Sequence, residues 1–129
     1  MQQIIMFALF ILVSMPSYAA SMLGIHCDQI LDKTYFKVCY DYRMKGARVV
    51  SYTLDGNLVN KLNLKKRPRF YPDRHIPERY RSYPSDYTRN PLHMDRGHMA
   101  SDASFDWSYK SQKSTYVMSN IVPQFYLVN

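Results

Sequence analysis

The chain has 129 residues and a formal net charge of +7. That length leaves room for one domain and excludes a multidomain assembly. Its apolar run from Ile4 to Val13 is too short for a bilayer-spanning helix, which takes about 20 residues.

Residues 1–19 read as a signal peptide. The apolar run is followed by Ser17-Tyr18-Ala19, with small residues at the minus-three and minus-one positions of a signal-peptidase site. Cleavage is expected after Ala19, leaving a domain of residues 20–129 that is secreted or periplasmic. The first three residues, Met1-Gln2-Gln3, carry no lysine or arginine, so an uncleaved membrane anchor remains the alternative. The two cysteines are Cys27 and Cys39. An even count in an exported chain points to a disulfide. A metal-binding pair is the other reading, but no further His or Cys sits at zinc-like spacing.

Lys33 to Tyr42 alternates, with Phe36, Val38, Tyr40 and Tyr42 on one face and Lys37, Cys39 and Asp41 on the other. This period of two predicts a half-buried strand. Lys45-Gly46 interrupts it. Arg48 to Leu54 alternates again, with Val50, Tyr52 and Leu54 inward. Asp55-Gly56 is a hairpin-turn signal, and Leu58 to Leu62 is expected as the return strand. These strands predict an antiparallel scaffold.

Residues 65–93 differ in kind. They hold five of the seven prolines, six arginines and several tyrosines. Proline fixes φ and removes a backbone donor, so long helices and central strands are not expected here. The tyrosines argue for order. The segment reads as a winding run that lays arginines along a groove. From Arg43 to Arg96 there are 13 Lys or Arg against 5 Asp or Glu. Such a patch attracts polyanions by counterion release and steering, although a solvated basic surface has the same composition.

Leu92 to Met94 leads as a short strand into Asp95-Arg96-Gly97-His98. Ser101 to Lys113 is polar, with Phe105 and Trp107 as expected core anchors. Thr115 to Ser119 predicts a second short strand, stopped by Pro123. From Gln124 a helix is expected, with Asn129 in its second turn.

Asp95-Arg96-Gly97-His98, Ser119-Asn120-Ile121-Val122-Pro123-Gln124 and Asn129, nine residues after Asn120, together resemble the DNA/RNA non-specific endonuclease family, the ββα-metal (His-Me finger) nucleases. The resemblance is specific from Asp95 to Asn129 and looser back to Arg67. It implies an α+β fold: an antiparallel sheet carrying a ββα-metal motif. It also implies a motif incomplete at its C-terminal helix, because the family continues past the position of Asn129. By motif position, His98 becomes the general base and Asn129 the ligand of a Mg ion, or of Mn in its place. Arg96 contacts phosphate or braces the site. Arg67 matches an upstream R-x-x-F-x-x-D pattern with Phe70 and Asp73, and Arg69 is its rival. Asp95, Gly97 and Asn120 are expected to support the site. Arg69 and Arg74 are expected to bind nucleic-acid phosphates.

The chemistry agrees with these residue types. A histidine with an ordinary pKa near 6.5 accepts a proton at neutral pH. A divalent cation stabilises the phosphorane and the leaving oxygen, and magnesium takes few protein ligands. No base-reading element is visible, and phosphate contacts alone carry no sequence information. The expected partner is therefore DNA, with RNA left open, cut with little sequence preference. The competing expectation is a weak or inactive remnant that only binds nucleic acid.

Overall fold

Alternating apolar residues build the centre of the molecule. In the computed structural model, which describes residues 20–128, β3 (Gln29–Asp32), β4 (Lys37–Asp41) and β5 (Gly46–Ser51) form an antiparallel sheet in that order. Preceding it are β1 (Ser21–Met22) and β2 (Ile25–His26), a two-residue antiparallel ribbon. Residues 1–19, where a signal peptide is expected, and Asn129 lie outside the described residues.

The inward face of β4 follows the sequence. Val38 and Tyr40 are buried with Leu31, Phe36, Ala47, Ile76, Ala100, Phe105 and Val117 in one core. Its other face is covered as well. Cys39 is buried because it forms a disulfide with Cys27, with Cα atoms 5.1 Å apart. Asp41 is buried because its carboxylate accepts from Arg48 Nε (2.6 Å) and from the Met44 amide (2.7 Å).

The return strand expected at Leu58 to Leu62 does not form. β5 ends at Ser51, and Leu54 is exposed. Asp55 instead closes a local turn, accepting from the Leu58 amide at 2.9 Å. Asn60 and Asn63 take left-handed φ values of 55° and 47°, conformations that interrupt an extended strand. Their amides bond across to Ala103 O and Asp106 Oδ2 rather than back to β5.

The proline-rich run is ordered without long elements, as its composition predicts. It contains two short 3₁₀ turns, Glu78–Tyr80 and Pro84–Tyr87. It is pinned to the core by Tyr71, whose amide donates to Tyr116 O and whose carbonyl accepts from the Met118 amide.

β6 (Met94–His98) carries the Asp-Arg-Gly-His run. It pairs antiparallel with β7 (Ile121–Phe125), placing His98 opposite Ile121 and Arg96 opposite Pro123. Between them lie a 3₁₀ turn at Asp102–Phe105, the helix α1 (Tyr109–Ser114) and a 3₁₀ turn at Met118–Asn120. Helix α1 begins at Ser108, whose hydroxyl accepts from the Ser111 amide at 3.1 Å. The second strand therefore starts at Ile121 rather than at Thr115, and Pro123 lies within it. Proline is tolerated there because, among the described residues, β7 pairs on one side only, so a missing N–H need not break the ladder. The helix expected from Gln124 is absent through Val128. Gln124 and Phe125 finish β7, and the chain then turns, with the Val128 amide donating to Phe125 O at 2.9 Å. The fold is α+β with antiparallel sheets.

Candidate active site

His98 ends β6, and Asn120 holds the chain that follows it. Asn120 is fully buried. Its Oδ1 accepts from the Ala100 amide at 2.8 Å, and its Nδ2 donates to Ala100 O at 3.0 Å and to Thr115 O at 2.8 Å. One side-chain amide thus ties the residue two beyond His98 to the start of the return path. Neighbouring Ser119 donates to the buried Asp73 carboxylate at 2.6 Å. Burial opposes ionisation of Asp73, but hydrogen bonds from Lys33 and Ser119 outweigh it and hold the carboxyl below its ordinary range.

Gly97 faces away from His98, as strand alternation requires. The Gln124 side chain lies over it, so that a Cβ built at Gly97 would stand 2.7 Å from Gln124 Cβ. Only the hydrogen of glycine fits there.

The imidazole of His98 is largely enclosed. Tyr116 meets it edge-on with ring centroids 4.7 Å apart, and Phe70 lies 5.4 Å away. Burial pushes its pKa down. Asp102 opposes that shift and Arg67 adds to it, and the net direction is downward. His98 is therefore neutral at pH 7. Its Nε2 is buried with no hydrogen-bond partner among the described residues.

His98 opens onto a cleft of about 530 Å³ lined by Arg67, Phe70, Asp95, Arg96, Asp102 and Tyr116, with Pro68 at its edge. Arg96 is anchored there by Nη2 donating to Pro84 O at 2.9 Å, with its guanidinium 5.2 Å from the Phe70 ring centre. Arg67 donates from Nη1 to Asp102 Oδ2 at 2.6 Å, and its side chain remains half exposed. The residues of the R-x-x-F-x-x-D pattern thus divide between two places. Arg67 and Phe70 line the cleft, while Asp73 anchors the segment from beneath.

Of the residues singled out in the sequence, Arg67, Asp95, Arg96 and His98 converge on the cleft. Gly97 and Asn120 pack behind it. Arg69 is exposed and does not line it. Arg74 lines a separate depression with Lys33, Tyr71 and His75. His93, adjacent in sequence to the site, lines another depression with Tyr87, Arg89 and Tyr126. Asn129 lies outside the described residues. Two cleft residues carried no sequence signal for a site. Tyr116 falls within the stretch expected as a second short strand, and Asp102 within a polar stretch.

A strand ending in His98 and an antiparallel return strand supply the two strands of a ββα-metal motif, and the helix that would follow them is absent through Val128. The family model described as DNA/RNA non-specific endonuclease matches residues 15–129, and the chain belongs to that family. Similar proteins include mitochondrial endonuclease G of Bos taurus, 29% identical over 96 residues, covering 74% of this chain and 31% of that protein. Mitochondrial nuclease EXOG of Danio rerio is 33% identical over 88 residues, covering 67% of this chain and 25% of that protein. Among solved structures, the crystal structure of the EndoG/EndoGI complex is similar with a TM-score of 0.64 and 28% identity, over 74% of this chain and 39% of that one. The chain spans between a quarter and a third of the length of these two relatives.

Proposed function

We propose that this chain cleaves phosphodiester bonds of DNA, and of RNA where the cleft admits a ribose, with His98 as general base. The observation that carries the reading is the His98 imidazole, enclosed by the Phe70 and Tyr116 rings, in a cleft lined by Arg67 and Arg96. A neutral imidazole takes a proton from an attacking water. Arg67 and Arg96 face the same space and match the charge of a phosphate, which gains negative charge in the transition state.

A divalent cation belongs to this proposal. Among the described residues no group of three or more His, Cys, Asp or Glu side chains converges on a point. The Asp102 carboxylate already accepts from Arg67 and from Tyr116. This donor set suits a hard cation that keeps most of its waters, such as magnesium, held by few protein oxygens. Asn129 is the residue proposed to hold it. When bound, such an ion supplies charge stabilisation at the phosphate and the leaving oxygen.

The remaining residues act by placement. The Phe70 and Tyr116 rings fix His98, Asn120 fixes the backbone beyond it, and Arg96 is fixed by Pro84 O. Little in the cleft suits base reading, and phosphate recognition supports cleavage without sequence preference. Export through residues 1–19 belongs to the same proposal, and the Cys27–Cys39 disulfide supports it. The deciding experiment compares this chain with His98→Ala on supercoiled plasmid and on single-stranded RNA, with and without magnesium. Magnesium-dependent nicking lost in His98→Ala is expected. Binding without cleavage in both proteins would reject the catalytic reading.

A further inference from the structure

The base and one of the two arginines proposed to face phosphate, Arg67, sit on different parts of the chain. His98 is on a strand, while Arg67 lies in the proline-rich run, outside any strand or helical turn. An arginine side chain is long and loses much rotamer freedom when it is fixed. Something must hold its guanidinium relative to His98.

We propose that Asp102 and Tyr116 form a positioning pair that locks the Arg67 guanidinium to the wall carrying His98. The inference rests on the nuclease reading above. A single oxygen, Asp102 Oδ2, accepts from Arg67 Nη1 at 2.6 Å and from the Tyr116 hydroxyl at 2.8 Å. The Tyr116 ring in turn lies edge-on against His98 at 4.7 Å and packs on Phe70 at 4.8 Å. Tyr116 is itself immobilised. It is nearly fully buried, its carbonyl accepts from the Tyr71 amide, and Asn120 Nδ2 holds the carbonyl of adjacent Thr115. A continuous path of fixed groups therefore runs from Arg67 through Asp102 and Tyr116 to His98.

The sign of the charge supports a role in positioning. A carboxylate lining a cleft that receives a polyanion weakens binding by simple repulsion. Asp102 is disfavoured there unless it serves turnover. Burial, and then Asp102 itself, push the Tyr116 hydroxyl far above its ordinary range. The proton thus stays on tyrosine, which remains the donor. Asp102 and Arg67 act on His98 directly, and Arg96 and Asp95, two and three residues before it on the same strand, line the same cleft.

The test compares Asp102→Asn, Asp102→Glu and Tyr116→Phe with the unaltered chain. Turnover of duplex DNA in magnesium is measured across pH, and the His98 titration is followed by proton NMR without magnesium. For Asp102→Asn, kcat is expected to fall roughly tenfold or more, the scale of a small misplacement, while KM stays level or drops. His98 should titrate at lower pH, because the charge that raises its pKa is gone. Asp102→Glu should recover part of kcat. Tyr116→Phe, a milder change that keeps the ring, should lower kcat less. Unchanged kcat and an unchanged His98 titration in Asp102→Asn would overturn the pair. So would a loss of kcat with a parallel rise in KM and no shift at His98. If the unaltered chain cleaves nothing, the nuclease reading fails by itself. The NMR arm then still decides the coupling: a shift at His98 sustains the pair, and no shift overturns it.

Discussion

Ser119 donates a 2.6 Å hydrogen bond to the carboxylate of Asp73, 46 positions earlier in the chain. The bond joins the two stretches that surround the cleft. Asp73 closes the run that begins at Arg67, and Ser119 precedes the Asn120 clamp behind His98. Lys33 reaches the same carboxylate at 2.5 Å, with both side chains nearly excluded from solvent.

Removing the carboxylate strands that lysine. Asp73→Ala is expected to destabilise the fold by about 3 kcal/mol, the scale for a buried charge that loses its partner. Ser119→Ala should cost about 1 kcal/mol, as for one hydrogen bond. Urea denaturation at pH 7 measures both. The folded Asp73 carboxyl titrates below its ordinary value of 3.8. Its contribution is therefore present above that pH and is lost as pH falls through the folded value. Asp73→Ala should accordingly unfold with less acid dependence than the unaltered chain.

His98→Ala should lower the cleavage rate by ~100-fold or more, the usual scale for general-base loss. Burial lowers the His98 pKa, so the neutral base persists below the ordinary value of 6.5. The acidic limb of kcat/KM should lie below that pH. A limb above it would contradict the enclosed imidazole.

Arg67 and Arg69 are two residues apart and are expected to behave differently. Arg67 lines the cleft, whereas Arg69 is exposed outside it. Arg67→Ala should reduce kcat. Arg69→Ala should weaken DNA binding with little effect on kcat, and its log–log salt slope should flatten by about 0.9, as for one lost phosphate contact on duplex DNA. Salt titrations of binding and steady-state rates separate the two. Equal effects on kcat would place Arg69 at the scissile phosphate.

Reduction of Cys27–Cys39 should destabilise the domain by about 3 kcal/mol, the chain-entropy estimate for so short a loop. The measurement is a thermal melt of a Cys27→Ala, Cys39→Ala double variant beside the parent. An unchanged melting temperature would show that β1 and β2 hold that edge without the bridge.

Some of this architecture was legible in the chain. The alternation at Phe36, Val38 and Tyr40 marked the central strand, because side chains in a strand repeat every two residues. The motif residues Arg67, Arg96 and His98 marked the cleft. The spacing of prolines marked a run without long elements. Other features depend on distant partners. Asp55-Gly56 has the composition of a hairpin turn, yet Asn60 and Asn63 bond to residues 103 and 106, which no local pattern reveals. Pro123 signalled a strand end, although a strand paired on one side accommodates it. Tyr116 and Asp102 show the same limit. Their meeting is set by the path through α1, and neither residue type announces a site.

The close fit of Gln124 over Gly97 makes those two positions a suppressor pair. A side chain at 97 meets Gln124, whose Cβ would stand 2.7 Å away, so Gln124 on the strand paired with β6 must shift, without altering a reacting group. Gly97→Ala should therefore impair folding or turnover alone. Adding Gln124→Gly empties the space that the new methyl needs. Partial recovery in the double variant, beyond the sum of the two single effects, would register the contact as a coupling between the strands. Strict additivity would show that β6 and β7 tolerate the intrusion independently.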